Sequence, residues 1–197
     1  MKYVENIKSI ADLKPDYMGF IFYDRSKRNF EGIIPQLPNN IKKTGIFVNE
    51  VLEIVVSLVE EYKLDAIQLH GDESVAYIEE LKSYIKPAEI IKVFSIKNHF
   101  DFKKLRPYES VVDYFLFDTK GKERGGNGVQ FDWSVLKNYN SAKPFFLSGG
   151  VGPNDILELK KIRKVGLPIY AVDINSKFES EPGLKKIKEI KNFKKQL

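Results

Sequence analysis

Apolar residues along this chain come in short runs, and each run ends on a polar signature. The runs are GFIFYDRSKR at 19–28, GIFVNE at 45–50, AIQLHGDE at 66–73, KVFSIK at 92–97, YFLFDTK at 114–120, FFLSGG at 145–150 and AVDINSK at 171–177. They predict strands over 16–23, 43–48, 64–69, 89–96, 113–117, 145–147 and 169–173. Between most of them apolar positions recur at helical spacing. Val4, Ile7, Ile10 and Leu13 predict a first helix stopped by Pro15. Val51, Ile54 or Val55, Leu58, Val59 and Tyr62 predict a second, and Val75, Ile78 and Leu81 a third. Pro153 is read as opening a further helix, because a missing N–H costs nothing at the first helical position. Pro182-Gly183 is read as introducing a last helix with Leu184, Ile187, Ile190 and Phe193 on its apolar face. Residues 31–42 hold at most a short helix, a helical turn falls near 101–106 and a short helix near 133–137. Residues 120–131, with GGNG at 125–128, read as a loop.

Strand–helix alternation calls for a parallel sheet, because parallel strands need long crossovers. In a closed parallel barrel the loops after the strand C-termini gather on one face, and that face carries the chemistry. The seven signatures are therefore expected to share one site in a single domain spanning 1–197. A barrel of βα units should begin with a strand, whereas this chain begins with a helix. Either the sheet is open, or a first strand is absent.

Composition narrows the function classes. The 197 residues suit one core and fall short of the about 250 typical of an eightfold barrel. No apolar run approaches the ~20 residues of a membrane span, and no signal-peptide pattern is present, so the expected location is cytoplasmic, with no membrane partner. There is no cysteine, which excludes disulfides and thiolate metal sites. With only His70 and His99, a histidine metal centre is not expected either. The net charge of +5 comes largely from 185–195, read as the solvated face of a helix. No basic stripe with interleaved aromatics points to nucleic acid.

Several signatures carry candidate chemistry. Gly149-Gly150 after Ser148 would let backbone N–H groups approach a phosphate, the alternative being a plain strand-to-helix turn. Asp173, Asn175 and Ser176 close the next run and would supply the other half of that site, or else a helix cap. Asp118 ends an apolar run; a partly desolvated carboxylate there would act as general acid, against an even alternative as a cap with Thr119. The GGNG segment would be a lid. Arg28 suits carboxylate recognition, against the commoner solvated loop. Gln68 and His70 flank the turn at Gly71, and a lone histidine there is as often structural. His99 has no assigned role.

Taken together, GFIFYDRSKRNF, GIFVN, LDAIQLHGDE, FDTKGKERGGNGVQFDWS, FFLSGGVGPNDI and VDINSKFESEPGLKKIKEI resemble the phosphoribosylanthranilate isomerase family of tryptophan biosynthesis, in order and over nearly the whole chain. The resemblance implies a (β/α)8 TIM-barrel type fold whose first strand is missing here, leaving seven, and no cofactor. The substrate would be a small anionic phosphosugar and the reaction an Amadori rearrangement. It implies Asp118 as general acid and Arg28 as holder of the anthranilate carboxylate. Gly149, Gly150, Asn175 and Ser176 would cradle phosphate, with Gln68, His70 and Asp173 lining the site. Two departures stand out. Lys177 replaces a usual glycine and cannot supply its freedom at φ > 0. The family's base, a cysteine in a K-[IV]-C-G-[IM] motif on the first strand, has no counterpart, so the chain is expected to be impaired. Two open barrel edges predict lowered stability or an edge-mediated homodimer. The rivals are a metal-dependent ribulose-phosphate epimerase, an indole-glycerol-phosphate synthase using Lys97 or Lys120, and a phosphate-binding barrel without turnover.

Overall fold

The computed structural model describes residues 1–119 and 131–197, so the GGNG segment read as a lid lies outside the described residues. Seven strands form one parallel sheet in chain order: β1 (Tyr17–Ile21), β2 (Lys42–Phe47), β3 (Ala66–Leu69), β4 (Glu89–Ile96), β5 (Tyr114–Thr119), β6 (Phe145–Leu147) and β7 (Ile169–Val172). Helix α1 (Val4–Ala11) precedes β1. Crossovers are α2 (Leu52–Tyr62), α3 (Val75–Tyr84) and α4 (Ile156–Arg163), with 3₁₀ turns at Phe102–Tyr108 and Trp133–Asn138 serving the two intervening connections. No helix forms within 31–42, where Pro35 and Pro38 interrupt the backbone. Among the described residues no helix is long and apolar enough to cross a membrane.

Three boundaries differ from expectation for local reasons. Pro153 sits in a turn and α4 begins at Ile156, after Asp155 accepts the Gly152 N–H at 2.7 Å. β5 runs on to Thr119, so Asp118 belongs to the strand rather than to a capping turn. After β7 and a 3₁₀ turn at Ser176–Phe178 comes a hairpin, β8 (Glu179–Glu181) and β9 (Leu184–Lys185), before α5 (Ile187–Gln196). Gly183 turns that hairpin at φ +90°. Strands of two or three residues are too short to show a period.

Alternation along the strands splits the apolar residues into two layers. Phe20, Phe47, Ile67, Leu69, Phe115, Phe117, Phe145 and Leu147 pack outward against the helices. A smaller inner cluster holds Ala66, Ile91, Val93, Leu116 and Phe146, with Tyr17, Tyr114 and Ala171 against it. Lys92 points opposite to Ile91 and Val93 and is buried with Glu73 at 3.0 Å, also donating to the Gly71 carbonyl at 2.8 Å. Glu73 accepts from the backbone N–H of Asn49 and Gly71 at 2.8 and 2.9 Å, which ties the loops after β2 and β3 together. Residues that continue the inner parity past the apolar cluster must therefore line the C-terminal mouth. Those are Gln68 and His70 on β3, Asp118 on β5, Ser148 after β6 and Asp173 after β7.

The sheet curls, bringing its two end strands, β1 and β7, to a common cavity of about 720 Å³. That cavity reaches from Tyr17 and Tyr170 at the N-terminal ends to Asp118, Asp173 and Arg28 at the C-terminal ends. The two strands are not paired with each other; a seam separates them. At its lip the Met1 amino nitrogen donates to the Gly19 carbonyl at 2.6 Å.

Candidate active site

Asp118 is buried at the end of β5, its Oδ1 accepting the Thr119 N–H at 2.8 Å. His70 Nε2 lies 3.3 Å from Asp118 Oδ2, and the Gln68 amide nitrogen lies 3.2 Å from His70 Nδ1. The imidazole is held between the Gln68 amide at Nδ1 and the Asp118 carboxylate beside Nε2. Gln68, His70 and Asp118 thus form one row across β3 and β5, although the chain separates them by some fifty residues.

Asp173 accepts a hydrogen bond from Ser148 Oγ at 2.7 Å. Desolvation pushes its carboxyl above the ordinary carboxylate value and the Asp118 charge adds to this, while the Ser148 hydrogen bond and the Lys185 charge oppose them. Ser148 was read only as the start of the glycine pair; its link to Asp173 adds it to the site. Gly149 and Gly150 follow at φ +84° and +74°, a conformation that L side chains rarely adopt. A Cβ on Gly149 would sit 2.7 Å from the Thr119 backbone nitrogen. Gly149→Ala is therefore expected to destabilise the protein by about 1–3 kcal/mol and to weaken phosphate binding, checked by urea unfolding and by inorganic phosphate titration.

Arg28, in the loop after β1, meets the β8–β9 hairpin. Its Nε and Nη2 lie 2.8 and 2.7 Å from Glu179 Oε2. Glu179 Oε1 takes Lys185 Nζ at 2.9 Å, and the same ammonium donates to Asn175 Oδ1 at 2.6 Å. This overturns the reading of 185–195 as wholly solvated: the Lys185 side chain is 9% exposed. Burial lowers its pKa, and Glu179 partly offsets the shift. Sequence reasoning missed Glu179 and Lys185 as site residues because both sit among exposed charges of both signs. Lys177 lies in the Ser176–Phe178 turn and is not among the residues with positive φ, so it bears no glycine-like strain. Among the described residues no group of His, Asp and Glu is placed to hold a metal ion.

Burial would raise the Glu179 carboxyl, but the Arg28 hydrogen bond and the Lys185 charge outweigh it and hold it below its ordinary value. The folded form then binds fewer protons than the unfolded form in that range, so this contribution is complete above about pH 4.5 and is lost as pH falls through the depressed value. Glu179→Gln is expected to flatten the acid side of a urea-midpoint profile between about pH 5 and 3.

The comparisons with known proteins agree with this geometry. A family model described as N-(5′-phosphoribosyl)anthranilate (PRA) isomerase matches residues 1–196. A protein named N-(5′-phosphoribosyl)anthranilate isomerase from Parabacteroides distasonis is 42% identical over 204 residues, covering 100% of this chain and 90% of the relative. The crystal structure of phosphoribosyl anthranilate isomerase from Thermotoga maritima superposes with a TM-score of 0.83 at 30% identity, covering 100% of this chain and 94% of that one. A phosphoribosyl anthranilate isomerase in complex with reduced 1-(o-carboxyphenylamino)-1-deoxyribulose 5-phosphate gives 0.78 at 26% identity, covering 98% and 93%. The parallel sheet is thus of the TIM-barrel type.

Proposed function

The chain belongs to the N-(5′-phosphoribosyl)anthranilate isomerase family of tryptophan biosynthesis, and we propose that it performs this Amadori rearrangement with Asp118 as general acid. Asp118 protonates the furanose ring oxygen, and the ring opens to a Schiff base. A general base then removes the C2′ proton, and the enol tautomerises to the ketone of the 1-deoxyribulose 5-phosphate product. His70, whose Nε2 lies 3.3 Å from Asp118 Oδ2, lines the site beside the acid without taking its place. Arg28 holds the anthranilate carboxylate. Gly149, Gly150, Asn175 and Ser176 cradle the phosphate, and Gln68 and Asp173 line the space between.

The observation that carries this reading is convergence. Inner parity on β3 and β5 and the turns after β6 and β7 bring Gln68, His70, Asp118, Ser148 and Asp173 to the same cavity as Arg28 and Asn175. The general base in this reading is the cysteine that the family resemblance implies, and a strand carrying it would fit the seam between β1 and β7. The deciding assay is consumption of N-(5′-phosphoribosyl)anthranilate by this chain and by a form with that strand ahead of Met1. Turnover that rises with the strand and is insensitive to chelators supports the reading. Tight binding of inorganic phosphate with no turnover in either form would instead make this a binding barrel.

A further inference from the structure

We infer that Glu179 is a positioning residue: it aims Arg28 at the substrate carboxylate, and through Lys185 it joins that clamp to the phosphate side of the site. The inference rests on the reading of Arg28 as carboxylate clamp.

Arg28 and Glu179 arrive from opposite sides of the seam, one from the loop after β1 and the other from the hairpin after β7. Where the strands make no backbone bonds to each other, this pair spans the gap at the catalytic end. The guanidinium meets Glu179 through its Nε and Nη2, at 2.8 and 2.7 Å from one carboxylate oxygen. A planar fork held along that edge keeps its Nη1–Nη2 edge for a second, bidentate carboxylate. The other oxygen of Glu179 accepts from Lys185 Nζ at 2.9 Å and from the Gly183 N–H at 3.1 Å. The Glu179 side chain is 4% exposed and that of Arg28 17%, so the fork is held by a carboxylate that is itself locked by the hairpin.

The arrangement has two chemical consequences. An arginine stem left to rotate must give up its rotamer freedom on binding, and the clamp held by Glu179 has lost most of it before substrate arrives. One carboxylate between two cations also leaves a net positive charge beside a ligand bearing both carboxylate and phosphate. The Lys185 contact to Asn175 Oδ1 at 2.6 Å carries the fixed geometry on to the turn that follows β7. A purely structural ion pair would serve any ligand equally. A positioning residue serves the carboxylate.

The test is a ratio of affinities. Two probes are titrated into the intact chain by calorimetry: reduced 1-(o-carboxyphenylamino)-1-deoxyribulose 5-phosphate and its counterpart lacking the carboxyl group. Glu179→Gln is expected to weaken the first by about tenfold or more and the second by less than about twofold. Glu179→Asp, which keeps the charge but withdraws it by one methylene, is expected to show a smaller selective loss and guards against misfolding of the glutamine variant. Equal losses for both probes, or no loss for either, would overturn the proposal. Arg28→Ala runs alongside. If it leaves the ratio unchanged, the clamp itself fails and the inference goes with it. A ratio that responds to Arg28→Ala and not to the Glu179 variants refutes the positioning role alone.

Discussion

Asp118→Asn is expected to lower kcat for N-(5′-phosphoribosyl)anthranilate by about 10²–10⁴-fold while KM stays nearly constant. Asparagine keeps the shape of the side chain, and its carbonyl oxygen can still accept the Thr119 N–H now held at 2.8 Å. What it loses is the proton for the ring oxygen. Its NH₂ would then face the His70 Nε2 that now sits 3.3 Å from a carboxylate oxygen. Binding groups elsewhere in the cavity are untouched, which is why KM is the insensitive parameter. The comparison is made within one background, with urea midpoints showing that both proteins are folded. A variant that retains kcat within about threefold of its parent would remove Asp118 from the acid's role.

The sheet and most of the candidate site were legible because both rest on a period of two. Once the parity of the strands read at 64–69 and 113–117 is carried one residue past their ends, Gln68, His70 and Asp118 must point the same way as Ala66 and Leu116. No tertiary knowledge is needed for that step. The glycine pair at 149–150 was legible for a similar reason, since its positive φ values are the conformation for which glycine is selected. The hairpin between β7 and α5 left no such trace. Its strands have three and two residues, and their lysines and glutamates match the composition of an exposed helix face. Burial of Lys185 therefore could not be read from its neighbours. It follows from Glu179, which is buried beside an Arg28 that reaches it from some 150 residues away. The expected penalty at Lys177 failed for a different reason: the chain turns there through 3₁₀ geometry and leaves positive φ to Gly149, Gly150 and Gly183.

A form of the protein with a strand-forming segment ahead of Met1 that ends in the K-[IV]-C-G pattern is expected to gain both stability and turnover. The seam fixes what such a segment must be. β1 and β7 are parallel members of one sheet, and each has one side not paired to another strand of that sheet, so an inserted strand would run parallel to both. A strand of about 5–6 residues matches their length. Its inner residues would face Tyr17, Ile91, Leu116 and Phe146, which line the cavity. Running parallel to them and joining Met1, whose amino nitrogen bonds to Gly19 on β1, the segment would end toward the catalytic mouth. There a cysteine thiolate would stand across from Asp118, giving a base and an acid on separate strands, and a positioned base contributes about 10²–10⁴-fold. Stability and catalysis are separated by a companion form carrying alanine in place of that cysteine. Both forms are expected to melt higher than the 197-residue chain and to slow amide exchange along β1 and β7, while only the cysteine form gains in kcat. Equal kcat for the alanine and cysteine forms would place the base on another residue. Unchanged melting and exchange in both forms would mean that no strand enters the seam, and the proposed base would then have no position from which to act.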